Sequence, residues 1–479
     1  VKAVNVTATG TIAEVTGYGN NRQHVTDGTG DTKDLRNTYV TDEYWNYQLM
    51  ETSADIDPNP DDDPRTDISE YMKKVGHERD LIGNKRIRNT VDNGCFETWN
   101  ISSDYAITAT DYPIGKSVVY VGKGQELKIQ NADDGTLVYS NGNAFNPGFL
   151  LLEHQAGLRG NGNYISLTNF AVERNVPGSG SDLANIPFNV QKIEKTADVI
   201  TYQIYNGQIR AGYDYKFDSS DSKAWEDLTT VTGKQALALN NSGTDEVKVR
   251  FYGNSYEENG KDKDVELTKW NFNDSWTTDN PGTGNRFTHK ENMSWNLFGS
   301  PYLCAMNYSD MEYGRVLYGY NNGYQTVKTY NSNDGTTVKG HIPAGSAVFT
   351  QTATLKDAET FAVKQPAGEK SGDAFPRMAP LRIALYAAGT TRSTRGTGDL
   401  TDETPQFVDE LQIEAVDPEM ARNDFDPGAD GVKWMAPDSL PQIYAERGGG
   451  RYALLSAVSR SGEVAVSLNV PAVGAYTFA

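Results

Sequence analysis

The chain has 479 residues, too long for one ordinary core, so two to four domains are expected. Its formal net charge of -20, from 64 acidic against 44 basic residues, argues against sequence-independent binding to nucleic acid or an anionic membrane face, because both need a positive surface field. With 46 Gly, 27 Tyr, 16 Phe and 7 Trp, the composition is that of many short strands joined by turns, and no apolar run has membrane-spanning length, so no direct membrane insertion as a helix is expected.

In chain order, residues 1–105 read as an irregular, extended region. Val4-Asn5-Val6-Thr7-Ala8-Thr9-Gly10 alternates like a strand. Pro58, Pro60 and Pro64 exclude regular helix or central strand in the acidic run that follows. Asp67 and Glu70 have the capping-box spacing, which predicts a helix over 67–75. The region reads as chain wrapping a neighbour. The start at Val1 predicts a processed or trimmed N terminus, and the strand-like 473–479 predicts a native molecule that continues further.

Residues 106–176 carry short apolar runs at 117–121, 126–129, 136–139, 149–152 and 164–167, separated by Gly, Asn or Asp turns. That spacing suits a short β-solenoid, in which apolar side chains stack inward, or alternatively a meander. Residues 180–365 alternate at 199–205 and 246–252, with further strands at 295–298, 315–320, 324–330 and 346–350; Asn333-Asp334-Gly335 is hairpin chemistry. They predict a jelly-roll-like β-sandwich. Pro366, Gly368, Gly372 and Pro376 mark a linker. Residues 378–479 predict a second, jelly-roll-like sandwich with strands at 381–386, 407–416, 452–456 and 463–468 and an exposed Thr- and Gly-rich loop at 388–405. The expected fold class is all-β. Cys95 and Cys304 make neither a disulfide framework nor a four-thiolate zinc site; they are one long-range bridge or, favoured, two buried thiols.

Three segments, taken in order, carry a family likeness. Phe149-Leu150-Leu151-Leu152-Glu153 leads to Asn169-Phe170-Ala171-Val172-Glu173-Arg174, with its Val-Glu-Arg strand. Trp295-Asn296-Leu297-Phe298-Gly299-Ser300-Pro301-Tyr302 is followed by Ile342-Pro343-Ala344-Gly345-Ser346-Ala347-Val348-Phe349. Asn423-Asp424-Phe425-Asp426-Pro427-Gly428-Ala429-Asp430-Gly431-Val432-Lys433 is followed by Pro441-Gln442-Ile443-Tyr444. Over residues 110–479 the chain resembles β-rich regions of Bacteroidota secreted and cell-surface proteins that precede a type IX secretion sorting domain. Ser300 and Gly431 depart from the usual Asn and Ala. The resemblance implies an extracellular or outer-surface location and an architecture, not one activity.

Candidate sites divide by chemistry. Asp55, Asp57, Asn59 and Asp61 place oxygens at alternate positions, as a calcium ion requires, although Pro60 stands where a calcium loop takes Gly and Thr66 where it takes Glu. The alternative is a solvated acidic loop. Asp424, Asp426 and Asp430 form a second acidic turn, a structural cation site or a turn whose side chains satisfy local backbone donors. Trp270 and Trp276, with Phe272 between them, and Tyr318 and Tyr320, with Tyr313 and Tyr324 nearby, are candidate ligand-binding rings for stacking on sugar, or else sandwich core. Asp438-Ser439-Leu440 fits a short O-glycosylation pattern or an ordinary turn. The five histidines form no close pair, and neither a nucleophile elbow nor a P-loop occurs; Arg447-Gly448-Gly449-Gly450-Arg451 reads as a hairpin turn. No catalytic residue is assigned. The leading expectation is a non-enzymatic extracellular or cell-surface structural or adhesive protein whose partner is a surface glycan, a protein or copies of itself, with calcium as a structural cofactor. The alternatives are a carbohydrate-binding accessory region of a larger secreted enzyme and a hydrolase with two facing carboxylates.

Overall fold

β-Branched and aromatic runs interrupted by Gly, Asn and Asp favour pleated strands over helix. The structure, a computed structural model, describes residues 25–26, 32–33, 98–108, 118–140, 142–205, 225–268, 294–320, 324–330, 335–353, 358–374, 381–387, 406–416, 425–434, 441–448, 450–458, 463–470 and 476–478. Among them the fold is all-β, and the single helical element is the 3-10 turn Tyr308–Asp310. Among them, too, no helix is long and apolar enough to cross a membrane. The helix expected over 67–75 lies outside the described residues.

Strands β1 (Val25–Thr26) and β2 (Thr32–Lys33) pair with each other. Next come β3 (Thr98–Ile101), β4 (Tyr105–Ile107), β5 (Val118–Val121), β6 (Glu126–Ile129), β7 (Phe149–Leu152), β8 (Gly157–Arg159), β9 (Ile165–Leu167) and β10 (Phe170–Val176). They form two parallel ladders, β3-β5-β7-β10 and β4-β6-β8. Alternation sets the two faces. Val119, Val121, Leu150, Leu152 and Val172 turn inward against Leu127, Ile129 and Leu158, while Val118, Tyr120, Leu151 and Ala171 make a second buried cluster on the opposite face. Strands buried on both sides read as near-continuous apolar runs, as a parallel sheet demands. The corners stack as well: the amide of Gly124, a residue at φ +72, donates to His154 O, and that of Glu153 to Val121 O. The strand expected at 136–139 does not form. Asn163 Oδ1 takes the Tyr139 amide at 2.9 Å and Asp134 Oδ1 takes that of Thr136, so local side chains replace a ladder partner.

The middle of the chain supplies β11 (Ser181–Lys195), β12 (Ile200–Tyr205), β13 (Trp225–Leu228), β14 (Gly233–Asn241), β15 (Val247–Gly253), β16 (Tyr256–Glu258) and β17 (Lys263–Leu267). β15 runs antiparallel to β10 from Phe170↔Gly253 to Val176↔Val247, and its other edge takes the second half of β11. The first half of β11 pairs with β14, and the register shifts between Ile186 and Asn189. One nine-stranded sheet results, ordered β13-β12-β14-β11-β15-β10-β7-β5-β3. It passes unbroken through the 176/180 division expected from the sequence.

Then follow β18 (Trp295–Gly299), β19 (Met306–Asn307), β20 (Val316–Tyr320), β21 (Tyr324–Lys328), β22 (His341–Ile342), β23 (Ala347–Gln351) and β24 (Glu359–Val363). A four-stranded sheet runs β18-β23-β20-β21, and three short ribbons pair β19 with β22, β17 with β24, and β16 with β9. The last group is β25 (Leu381–Ala387), β26 (Gln406–Val416), β27 (Gly431–Val432), β28 (Gln442–Arg447), β29 (Gly450–Val458), β30 (Ala465–Asn469) and β31 (Tyr476–Phe478). It makes a seven-stranded sheet with β30 and β31 at its edges. The expected hairpin at 447–451 is there: Arg447 faces Gly450, and Gly448 at φ +58 supplies the left-handed turn residue. One buried cluster joins Leu183 and Ala238 of the nine-stranded sheet, Phe349 of the four-stranded sheet and Leu411, Ile443 and Tyr452 of the seven-stranded sheet.

Candidate functional site

The chemistry-bearing side chains gather where one sheet meets the next. At the open edge of β8, the Leu158 amide donates to Leu303 O at 2.7 Å. Arg159 and Glu126, on neighbouring strands, pair through two bonds of 2.8 and 2.9 Å in the interior. The same two side chains clamp one residue of the middle region: Arg159 Nη2 donates to Ala305 O at 3.0 Å and the Ala305 amide donates to Glu126 Oε1 at 2.9 Å. Cys304, between the clamped residues, is a buried free thiol, and burial pushes its pKa up. Cys95 lies outside the described residues. Close by, Glu258 accepts from Tyr256 Oη at 2.8 Å and from Gln365 Nε2, and burial raises its carboxyl above the usual range.

A second joint is built on Arg174. It pairs with Asp182 through bonds of 2.7 and 2.8 Å and reaches Ala344 O and Ser346 Oγ at 3.2 Å each. Beside it, the Asn185 amide donates to Gly345 O and Asn185 Nδ2 donates to Ser300 O at 2.7 Å. Two motifs from the family likeness, Val172-Glu173-Arg174 and the Ala344-Gly345-Ser346 turn, thus meet in one contact. His154 accepts the Asn175 amide on Nδ1 at 3.0 Å, and burial, reinforced by the Arg174 charge, pushes its pKa down to about 4.

The third joint is aromatic. Trp434, just after β27, lies with ring centroids 4.7 Å from Trp295, 5.0 Å from Tyr318 and 4.9 Å from Phe349, stacked on Tyr318 and edge-on to Phe349. Phe349 continues the cluster to Tyr205 and Trp225 of the nine-stranded sheet. Tyr318 Oη accepts the Val432 amide at 2.7 Å, and Lys328 and Glu414, both buried, pair at 2.7 Å across the same boundary. The four-stranded and seven-stranded sheets are therefore tied by rings, a backbone bond and an internal ion pair.

The residues singled out from the sequence are distributed as follows. Asp55, Asp57, Asn59, Asp61, Asp424, Trp270, Phe272 and Trp276 lie outside the described residues. Tyr318 is 1% exposed and belongs to the core, because β20 turns it inward against Trp295 and Trp434; its faces are taken by other rings. Tyr320, two residues on at the end of β20, is 40% exposed, and Tyr313 and Tyr330 stand outside at 55% and 42%. Asp430 is buried and accepts both the Asp426 amide and Arg447 Nη2, while Asp426 Oδ1 accepts the Gly428 amide. Local backbone donors and a guanidinium thus meet these two carboxylates. Among the described residues no three His, Cys, Asp or Glu side chains gather as a metal site. Trp434, Arg159 and Lys328 were not singled out by sequence reasoning. Trp434 directly follows the quoted Gly431-Val432-Lys433 motif, and that adjacency was the one signal available.

Comparison with protein-family models, with curated proteins and with solved structures yields no match.

Proposed function

We propose that the chain is a non-enzymatic structural or adhesive module of the outer surface or exterior of a Bacteroidota-type bacterium, a stiff spacer that holds or displays. The observation that carries this reading is the Trp434 joint. The most chemically endowed side chains are spent on fastening sheet to sheet, with their polar atoms and ring faces turned toward one another. The two parallel ladders support a β-solenoid-like first segment, and the cluster shared by the four-stranded and seven-stranded sheets supports sandwich-like units after it. The module's partner is a surface glycan, a protein or another copy of the chain. Calcium at Asp55, Asp57, Asn59 and Asp61 adds stiffness; EDTA then lowers the melting temperature, and an unchanged melting curve removes the ion from the account.

The test is attachment without turnover. Beads coated with the purified chain should be retained under flow on glycan-coated or chain-coated surfaces while reducing ends stay constant. Release of sugar from any such surface overturns the reading. A second reading, a carbohydrate-binding accessory region, is favoured by the exposed Tyr313, Tyr320 and Tyr330. It predicts that Tyr313→Ala with Tyr330→Ala abolishes retention on glycan and spares retention on the chain itself.

A further inference from the structure

β30 is an edge strand. One side of it pairs with β28 from Gln442↔Asn469 to Glu446↔Ala465, and among the described residues no strand pairs with the other side. Such an edge presents a row of backbone donors and acceptors on which another strand can form. Edges are ordinarily defended by charge: β13, at the end of the nine-stranded sheet, carries the exposed Glu226 and Asp227. β30 has no such defence, for from Val464 to Val470 the chain carries no charged residue.

Its apolar side chains are equally open. Residues directly opposite in an antiparallel ladder share a face, so Leu468 lies on the side of Ile443 and Val466 on that of Ala445. Ile443 and Ala445 are fully buried in the core of the seven-stranded sheet, and Val464 packs against the same cluster. That apolar face continues along β30 without cover: Val466, Leu468 and Val470 are 42%, 43% and 41% exposed. The strand's own sequence says what fits it. Val466-Ser467-Leu468-Asn469-Val470 has the same residue classes read from either end, with valine outside, a polar residue next and leucine at the centre. A second β30 running antiparallel about a two-fold axis at Leu468 therefore sets Val466 against Val470, Ser467 against Asn469 and Leu468 against its own copy, with no like charges opposed. Pro471, which cannot donate to a ladder, ends the pairing there.

We propose that two copies of the chain associate through β30, strand against strand about a two-fold axis at Leu468. The two seven-stranded sheets then join into one, and the apolar row of each copy is covered by that of the other. A standard interface buries about 800 Å² on each partner, and a strand of 5 residues offers less. The contact is therefore weak between free molecules and gains strength where many copies share a surface, because each further contact is then made within one assembly. This inference rests on the structural reading above and names its partner, a second copy of the chain.

Sedimentation equilibrium of the full chain over a rising concentration series tests it, with substitutions at the residue that meets itself. The parent should pass from monomer to dimer. Leu468→Lys and Leu468→Glu each set like charges face to face across the axis, and each should weaken dimerisation at least about tenfold with the melting temperature little changed at so exposed a position. An equimolar mixture of the two variants should dimerise again, since opposite charges then meet. Where either variant does not fold, Val470→Lys alone should weaken the dimer and Val466→Glu with Val470→Lys should restore it. The proposal is overturned by a parent that stays monomeric throughout, by variants that dimerise like the parent, or by no restoration in the mixture or the double variant. Growth beyond the dimer, as a head-to-tail contact would give, overturns it too. Retention of chain-coated beads on glycan but not on the chain itself overturns this inference and leaves the structural reading standing.

Discussion

Replacing Trp434 with Ala removes the ring that follows β27 of the seven-stranded sheet and packs on Trp295, Tyr318 and Phe349 of the four-stranded sheet. Truncating a fully buried Trp costs about 3–5 kcal/mol. Trp434 is half-buried, but its contacts with Trp295, Tyr318 and Phe349 each contribute roughly 0.5–1.5 kcal/mol beyond area burial. A loss of about 3 kcal/mol is expected. The thermal shift then reports how far the sheets unfold together. With an unfolding entropy of roughly 2.1 cal/mol/K per residue, a chain of this length that melts as one loses about 3 °C, whereas a C-terminal unit of about 100 residues melting alone loses roughly 14 °C. Urea denaturation followed by tryptophan fluorescence gives the free energy, and near-ultraviolet circular dichroism gives the melt. Tyr313→Ala, at an outward-facing ring, is the control and should change stability by under about 0.5 kcal/mol. A Trp434→Ala loss no larger than that of the control would refute the joint.

Other outcomes follow from the remaining joints. Glu414→Gln removes the charge paired with the buried Lys328 ammonium and should cost about 3–5 kcal/mol in urea denaturation, while the double variant Lys328→Met with Glu414→Leu should recover most of that loss. Equal losses in the single and double variants would show that the pair itself, not the charge left behind, matters. His154 is kept neutral in the folded state with its pKa near 4, against 6.5 ordinarily. The unfolded chain therefore takes up a proton first as pH falls, and stability unaffected above about pH 6.5 declines between 6.5 and 4, by at most about 3 kcal/mol from this group. His154→Asn, which keeps an acceptor for the Asn175 amide, should flatten that part of the pH profile; a variant with the same slope as the parent would contradict the assignment.

Much of the strand content was legible because period-2 alternation and turn residues are local signals. The strands expected at 199–205 and 246–252 form as Ile200–Tyr205 and Val247–Gly253, and Gly448 and Gly450 lie in the hairpin expected at 447–451. Pairing was not legible. β11 is a single run, yet its two halves take different partners, and nothing within it says where the switch falls. Alternation also fixes that Tyr318 and Tyr320 share a face of β20 without saying which face, so the same pattern holds one buried and one exposed ring. The Arg159–Glu126 pair depends on the stacking of β6 on β8, which brings residues 33 positions apart into contact. Thr136-Leu137-Val138-Tyr139 has strand composition, but Asp134 and Asn163 offer its amides nearer partners.

The central claim is that these joints make one load-sharing body of the successive β-units. Differential scanning calorimetry of the full chain tests it most directly. The account predicts a single endotherm whose calorimetric and van 't Hoff enthalpies agree. Two separable endotherms, one unchanged when Trp434 is replaced by Ala, would contradict it.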